Sequence, residues 1–137
     1  MDNAMTDINI AYTIETDKPF AEVAEALETL PPNHSFRVLA VHDVQETLAE
    51  KGFERGPLKI VEVCNAGFAH QALTKDADVA LFMPCRYTVY EQDGKTIVSL
   101  GRPSMIAQLI PGKGLEDLAE KVEQTLKTIM HEAVEKK

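Results

Sequence analysis

The sequence predicts an α+β sandwich: one mostly antiparallel sheet with helices packed on one face, in the order β-α-β-α-β-α-β-β-α. Three observations carry this expectation. Two-residue and helical apolar periods alternate along the chain, so strands and helices mix rather than segregate. The strongest turn signal, Asp93-Gly94, sets a hairpin near the end, which a purely parallel doubly wound sheet lacks. The composition of the 137 residues, 45% hydrophobic and 26% charged, is ordinary for a globular chain. One domain over 1–137 can bury roughly two-thirds of its unfolded surface without staples. No linker, repeat or low-complexity run divides it.

The elements follow in order. Residues 1–6 read as a flexible tail. Ile8, Ile10, Tyr12 and Ile14 alternate with polar residues, the period of a half-buried strand. Thr16 or Asp17 is placed to cap the next helix, with Pro19 in its first turn. Phe20, Val23, Ala24, Leu27 and Leu30 then share one stripe, and Pro31-Pro32 stops it. A second strand spans 36–41. Asp43 and Glu46 stand in capping-box spacing over a short helix that Gly52 ends. A third strand runs 58–64, and Asn65 caps a short helix carrying Phe68, Ala69, Ala72 and Leu73. A long strand is expected over 79–91, returning through Asp93-Gly94 into 95–100. After a helical turn at 104–109, the last helix covers 115–134. Its apolar seam is Leu115, Leu118, Val122, Leu126, Ile129 and Ala133. The glutamates of the first and last helices read as solvated.

Charge and composition exclude several classes of partner. Fourteen Lys and Arg against 22 Asp and Glu leave a net charge of −8, which repels nucleic acid and anionic membrane surfaces. No apolar run approaches the roughly 20 residues that span a bilayer. The start, Met1-Asp2-Asn3-Ala4-Met5-Thr6-Asp7, has neither a basic nor an apolar region, so export is not expected and a cytoplasmic setting is. Two cysteines make no disulfide framework and stay reduced there.

Those cysteines are the main candidates for chemistry. Cys64 ends a strand directly before a helix N-terminus, whose partial positive charge stabilises a thiolate. Equally, it reads as a small buried hydrophobe closing a core strand. Cys85 shares a predicted strand face with Val79, Leu81, Met83, Tyr87 and Val89, with Arg86 turned away. That face reads as core and the thiol as inert, although Pro84 marks an edge or bulge, where functional sites gather. His34 and His131 read as solvated. His42, expected on the face of Phe36, Val38 and Ala40, reads as semi-buried. None of the four histidines shows zinc-site spacing, but Cys64 with His70 or His42 would make a Cys–His site. Pro111-Gly112-Lys113-Gly114 is not a phosphate loop, since Ala107 and Gly114 stand where glycine and Ser/Thr are required. No Gly-x-Gly-x-x-Gly after a strand and no Gly-x-Ser-x-Gly elbow is present.

The segment Cys64-Asn65-Ala66-Gly67-Phe68-Ala69-His70-Gln71-Ala72-Leu73, followed by Leu81-Phe82-Met83-Pro84-Cys85, resembles the domain-of-unknown-function family 302. Asp43-Val44-Gln45-Glu46-Thr47-Leu48 closing at Lys51-Gly52 resembles it too. Ala66 departs from that pattern, which has proline after Cys-Asn. The resemblance implies a TATA-binding-protein-like α+β fold, often dimeric, and a shared site at Cys64, Asn65, His70, Pro84 and Cys85. It brings no activity.

Three readings follow. The first is a ligand-binding or thiol-redox module with Cys64, Asn65, His70 and Cys85 at its site. Its ligand would be a soft metal on Cys64, Cys85 and His42, a haem between Phe68, Phe82, Met83 and Met105, or a sulfur species. The second is a non-catalytic homodimer in which both cysteines are structural. The third, an enzyme with Cys64 as nucleophile and His70 as base, requires hydrogen-bond reach between them. Spacing does not provide it.

Overall fold

The computed structural model of the chain describes residues 9–135; the tail assigned to residues 1–6, and Ile8, lie outside them. Five strands form one open, wholly antiparallel sheet: β1 (Ala11–Thr16), β2 (Arg37–Asp43), β3 (Leu58–Cys64), β4 (Cys85–Gln92) and β5 (Lys95–Gly101). Their spatial order is β1-β5-β4-β3-β2. Between and after them lie α1 (Phe20–Thr29), α2 (Val44–Ala49), α3 (Ala66–Lys75), α4 (Ser104–Leu109) and α5 (Glu116–Val134). The predicted order of elements holds.

The core lies between the sheet and the pair α1 and α5. Val61, Val63, Tyr87, Val89, Val98 and Leu100 point there from the central strands. Val23 and Leu27 of α1 and Leu126, Ile129 and Met130 of α5 meet them. Tyr87 is wholly buried, and its hydroxyl donates to the Leu126 carbonyl at 2.6 Å, which ties α5 to β4. Lys18 closes the other end of α5, its Nζ donating to the Glu135 carbonyl at 2.8 Å. The hairpin between β4 and β5 turns at Asp93 (φ 53°) and Gly94 (φ 80°), the two positive angles that a type I′ turn needs.

The structure corrects several local expectations. Neither Thr16 nor Asp17 caps α1, because Pro19 occupies the N-cap position; Thr16 instead accepts from the Lys18 amide at 3.1 Å. The long strand expected over 79–91 begins only at Cys85. Ala77–Phe82 forms a 3-10 turn, started by the Asp76 side chain accepting from the Asp78 amide at 2.8 Å. Pro84, without an N–H, then closes the ladder to what precedes it. Val79, Leu81 and Met83 therefore do not share the face of Cys85, whereas Tyr87 and Val89 do.

The third correction concerns His42. A register shift between Val38 and Ala40 reverses the phase of β2, since one extra residue flips every later side chain. His42 thus lies on the face away from α1 and α5, half-exposed, 3.3 Å from Glu62. The fourth concerns the glutamates of α5. Glu123 is buried, held by Arg102 Nε at 2.9 Å and the Ser104 amide at 3.0 Å. His131 and His34 are not simply solvated either. Tyr12 and Glu132 hold them at 2.8 and 3.0 Å respectively.

Candidate functional site

β3 ends at Cys64 and hands the chain to α3 through Asn65. Asn65 holds an extended backbone, and its Oδ1 accepts from the Phe68 amide at 2.9 Å. This satisfies one of the donors that every helix start leaves open. Its Nδ2 donates to the Ser35 carbonyl at 2.9 Å, where Ser35 takes a positive φ of 66° at the turn into β2. One side chain thus joins the start of α3 to that turn. The helix begins at Ala66, so alanine serves where the family pattern has proline. Substituting Asn65→Ala is expected to cost about 1–2 kcal/mol, because a cap and a second hydrogen bond go together. Urea unfolding measures it, and Asn65→Asp, which keeps the acceptor and loses the donor, should fall between.

Cys85 opens β4 and pairs in register with Val63 of β3. Partners across an antiparallel ladder share a face, so Cys85 turns toward the core with Val63 and Tyr87. Burial pushes its thiol up to about 11, with Cys64 adding to the effect and Arg86 opposing it. A thiol held there is protonated at neutral pH. Cys64, next along β3, is its last residue and stands opposite Arg37 of β2. The two cysteines are therefore neighbours on adjacent strands. Both are free.

Both also border one apolar cavity of about 80 Å³. It lies at the seam between the main core and a smaller cluster of Val79, Ala107, Leu115 and Ala119. Phe68, Ala69 and Ala72 of α3 form one wall, and Leu118 and Val122 of α5 another. Cys64, Asn65 and Cys85 supply what polarity its lining has, the other lining residues being apolar. A larger recess of about 530 Å³ beside Phe53 and Arg55 is formed by only six residues of α2 and the loop after it, and brings no chemistry together.

The other candidates lie elsewhere. His70 is exposed on α3 and does not border the cavity, so no Cys64–His70 pair is assembled. His42 sits with Glu62, which also takes Arg86 Nε at 3.4 Å. Among the described residues no group of three or more His, Cys, Asp or Glu is placed to hold a metal. Of the four residues considered for a haem slot, Phe68 and Met83 border the cavity; Phe82 is exposed, and Met105 is buried without bordering it. Sequence reasoning missed the cavity itself, which five separate segments build.

Together these features define a five-stranded α+β module with a thiol set in an apolar cavity. The chain belongs to the family described as "Domain of unknown function DUF302", whose model matches residues 12–133. Its fold is similar to that of an uncharacterised conserved DUF302 protein from Bacillus stearothermophilus. That crystal structure is 29% identical, with a TM-score of 0.86 over 93% of this chain and 100% of the other. None of the curated proteins matches the chain. No helix among the described residues is long and apolar enough to cross a membrane.

Proposed function

We propose that the chain is a small, non-catalytic ligand-binding module of the cytoplasm whose site is the cavity beside Cys85. One observation carries this reading: a neutral thiol forms part of the wall of an otherwise apolar cavity that opens to the surface. Such a site favours a small, uncharged group, because an ion entering it would lose its hydration without a partner. Cys64 also lines it, and Asn65 ties that part of the lining to the start of α3 and to Ser35. A soft metal would find two thiols, and among the described residues no group of three or more ligating side chains to hold it. Haem exceeds the space, since a cavity of about 150 Å³ is already what one benzene ring takes.

Native mass spectrometry of untagged protein, before reductant or chelator is added, should show added mass that the Cys85→Ser variant lacks. Methylmercury supplies a defined probe in a Cys64→Ser background: the Cys85 sulfur bonds to mercury and the thiol proton leaves. One adduct should form faster than the protein unfolds. Labelling that waits for global unfolding sinks the proposal.

A second reading, the homodimeric interaction protein, has its own observation. β2 is an edge strand that exposes Leu39 and Val41, and such an edge is a template for pairing. A dimer in solution that Leu39→Lys dissociates would support it, with the cysteines then structural and Cys64→Ser costing stability alone.

A further inference from the structure

Eight large apolar side chains are exposed among the described residues, and four of them stand on the elements that build the cavity. Leu73 lies one turn beyond Ala69 on α3, Leu109 one turn beyond Ile106 on α4, and Leu81 and Phe82 directly precede Met83. Read with the lining, these side chains give a candidate apolar track over α3, the 3-10 turn and α4. At the edge of this track α3 ends in Lys75, whose Nζ lies 3.8 Å from where a Cβ on Gly114 would stand. Gly114 adjoins Leu115, itself a lining residue. No carboxylate pairs with Lys75 among the described residues, whereas the neighbouring Lys113 is already engaged by Asp76 at 3.5 Å.

Resting on the reading of the cavity as a ligand site, the geometry points to its ligand class: a single-chain amphiphile with an anionic head, such as an alkyl carboxylate. The chain end enters the cavity, the chain lies along Leu73, Leu81 and Leu109, and the head meets the ammonium of Lys75. A peptide fits poorly, because its amides would need partners that an apolar lining lacks. A broad aromatic ring exceeds the inner volume. A membrane surface is disfavoured by the charge of −8, so the ligand is taken as a free molecule.

Calorimetric titration of the full chain with hexanoate, octanoate, decanoate and dodecanoate, each below its micelle concentration, tests this. Affinity should rise about fourfold per added methylene until the track is filled. The alcohols of equal length should bind about threefold more weakly. Lys75→Gln should remove that difference, and this surface variant does not put folding at risk. Affinity independent of chain length, or equal for acid and alcohol in the wild type, overturns the inference. If methylmercury reaches Cys85 in the folded protein while carboxylates do not bind, this inference fails and the cavity reading stands. If neither binds, both fail.

Discussion

Replacing Glu123 with Gln is expected to lower the unfolding free energy by about 3 kcal/mol at neutral pH, among the largest effects of any single substitution in this chain. Its Oε2 accepts from Arg102 Nε at 2.9 Å and lies 3.2 Å from Lys127 Nζ, while Oε1 accepts from the Ser104 amide. Arg102 reaches on to the Asn9 carbonyl at 3.1 Å and the Ser104 hydroxyl at 3.1 Å. The carboxylate thus gathers the end of β5, the start of α4 and the middle of α5. Burial works against its ionisation, yet the bonds from Ser104, Arg102 and Lys127 outweigh it and hold the carboxyl at about 2 against an ordinary 4.5.

The sign of the pH dependence follows from that depressed value. The stabilisation is fully present above 4.5 and is lost as pH falls toward 2. Urea unfolding at pH 7, 4.5 and 3 should show the wild type and Glu123→Gln converging as acid is added. A difference that stays constant across that range would mean that Glu123 acts by packing and not by charge.

Local signals were legible where one short segment decides the outcome. Asp93-Gly94 specified its own turn, Asn65 its own helix start, and the alternation over 58–64 its own strand. Where two distant segments decide, the sequence was silent or misleading. Glu123 falls on the α5 seam between Ala119 and Leu126 by helical spacing, but nothing local says that Arg102 will meet it there. The apolar run Val79-Ala80-Leu81-Phe82 lacks a two-residue period, and Asp76 before it was the cue to a turn. The shift between Val38 and Ala40 has no composition of its own, yet it turns His42 to the other face, and the register sets His42 opposite Ile60, four residues along β3 from Cys64. For the candidate site the consequence is uneven. Cys64, Asn65 and Cys85 were singled out from sequence and border one cavity, while His70 and His42 do not. The cavity that gives Cys85 its surroundings needed the tertiary structure.

Alkaline pH should destabilise the protein in two overlapping stages, together about 4 kcal/mol by pH 11 and comparable to the whole stability of many domains. Cys85 ionises near 9.0 when unfolded but near 11 when folded, burial being the main cause. Its contribution is intact below pH 9 and is lost as pH rises toward 11, because the unfolded chain releases a proton that the folded chain keeps. Tyr87 adds a second loss above 10.0, since complete burial holds its hydroxyl protonated far above that ordinary value. The two are separable by substitution. Cys85→Ala should remove most of the decline between pH 9 and 10 and part of that above it, leaving the Tyr87 loss above 10, at the cost of a somewhat larger cavity. Tyr87→Phe should do the reverse and lose about 1 kcal/mol at neutral pH with the hydrogen bond to Leu126. A ligand seated against the Cys85 thiol excludes water from it further, so bound protein should resist alkali better than free protein, by a margin that Cys85→Ala erases. Chemical denaturation from pH 7 to 11, with and without ligand, therefore measures the site through stability. Identical pH profiles for the wild type and Cys85→Ala would show that the thiol is not held in an apolar wall, and would remove the ground on which the binding proposal rests.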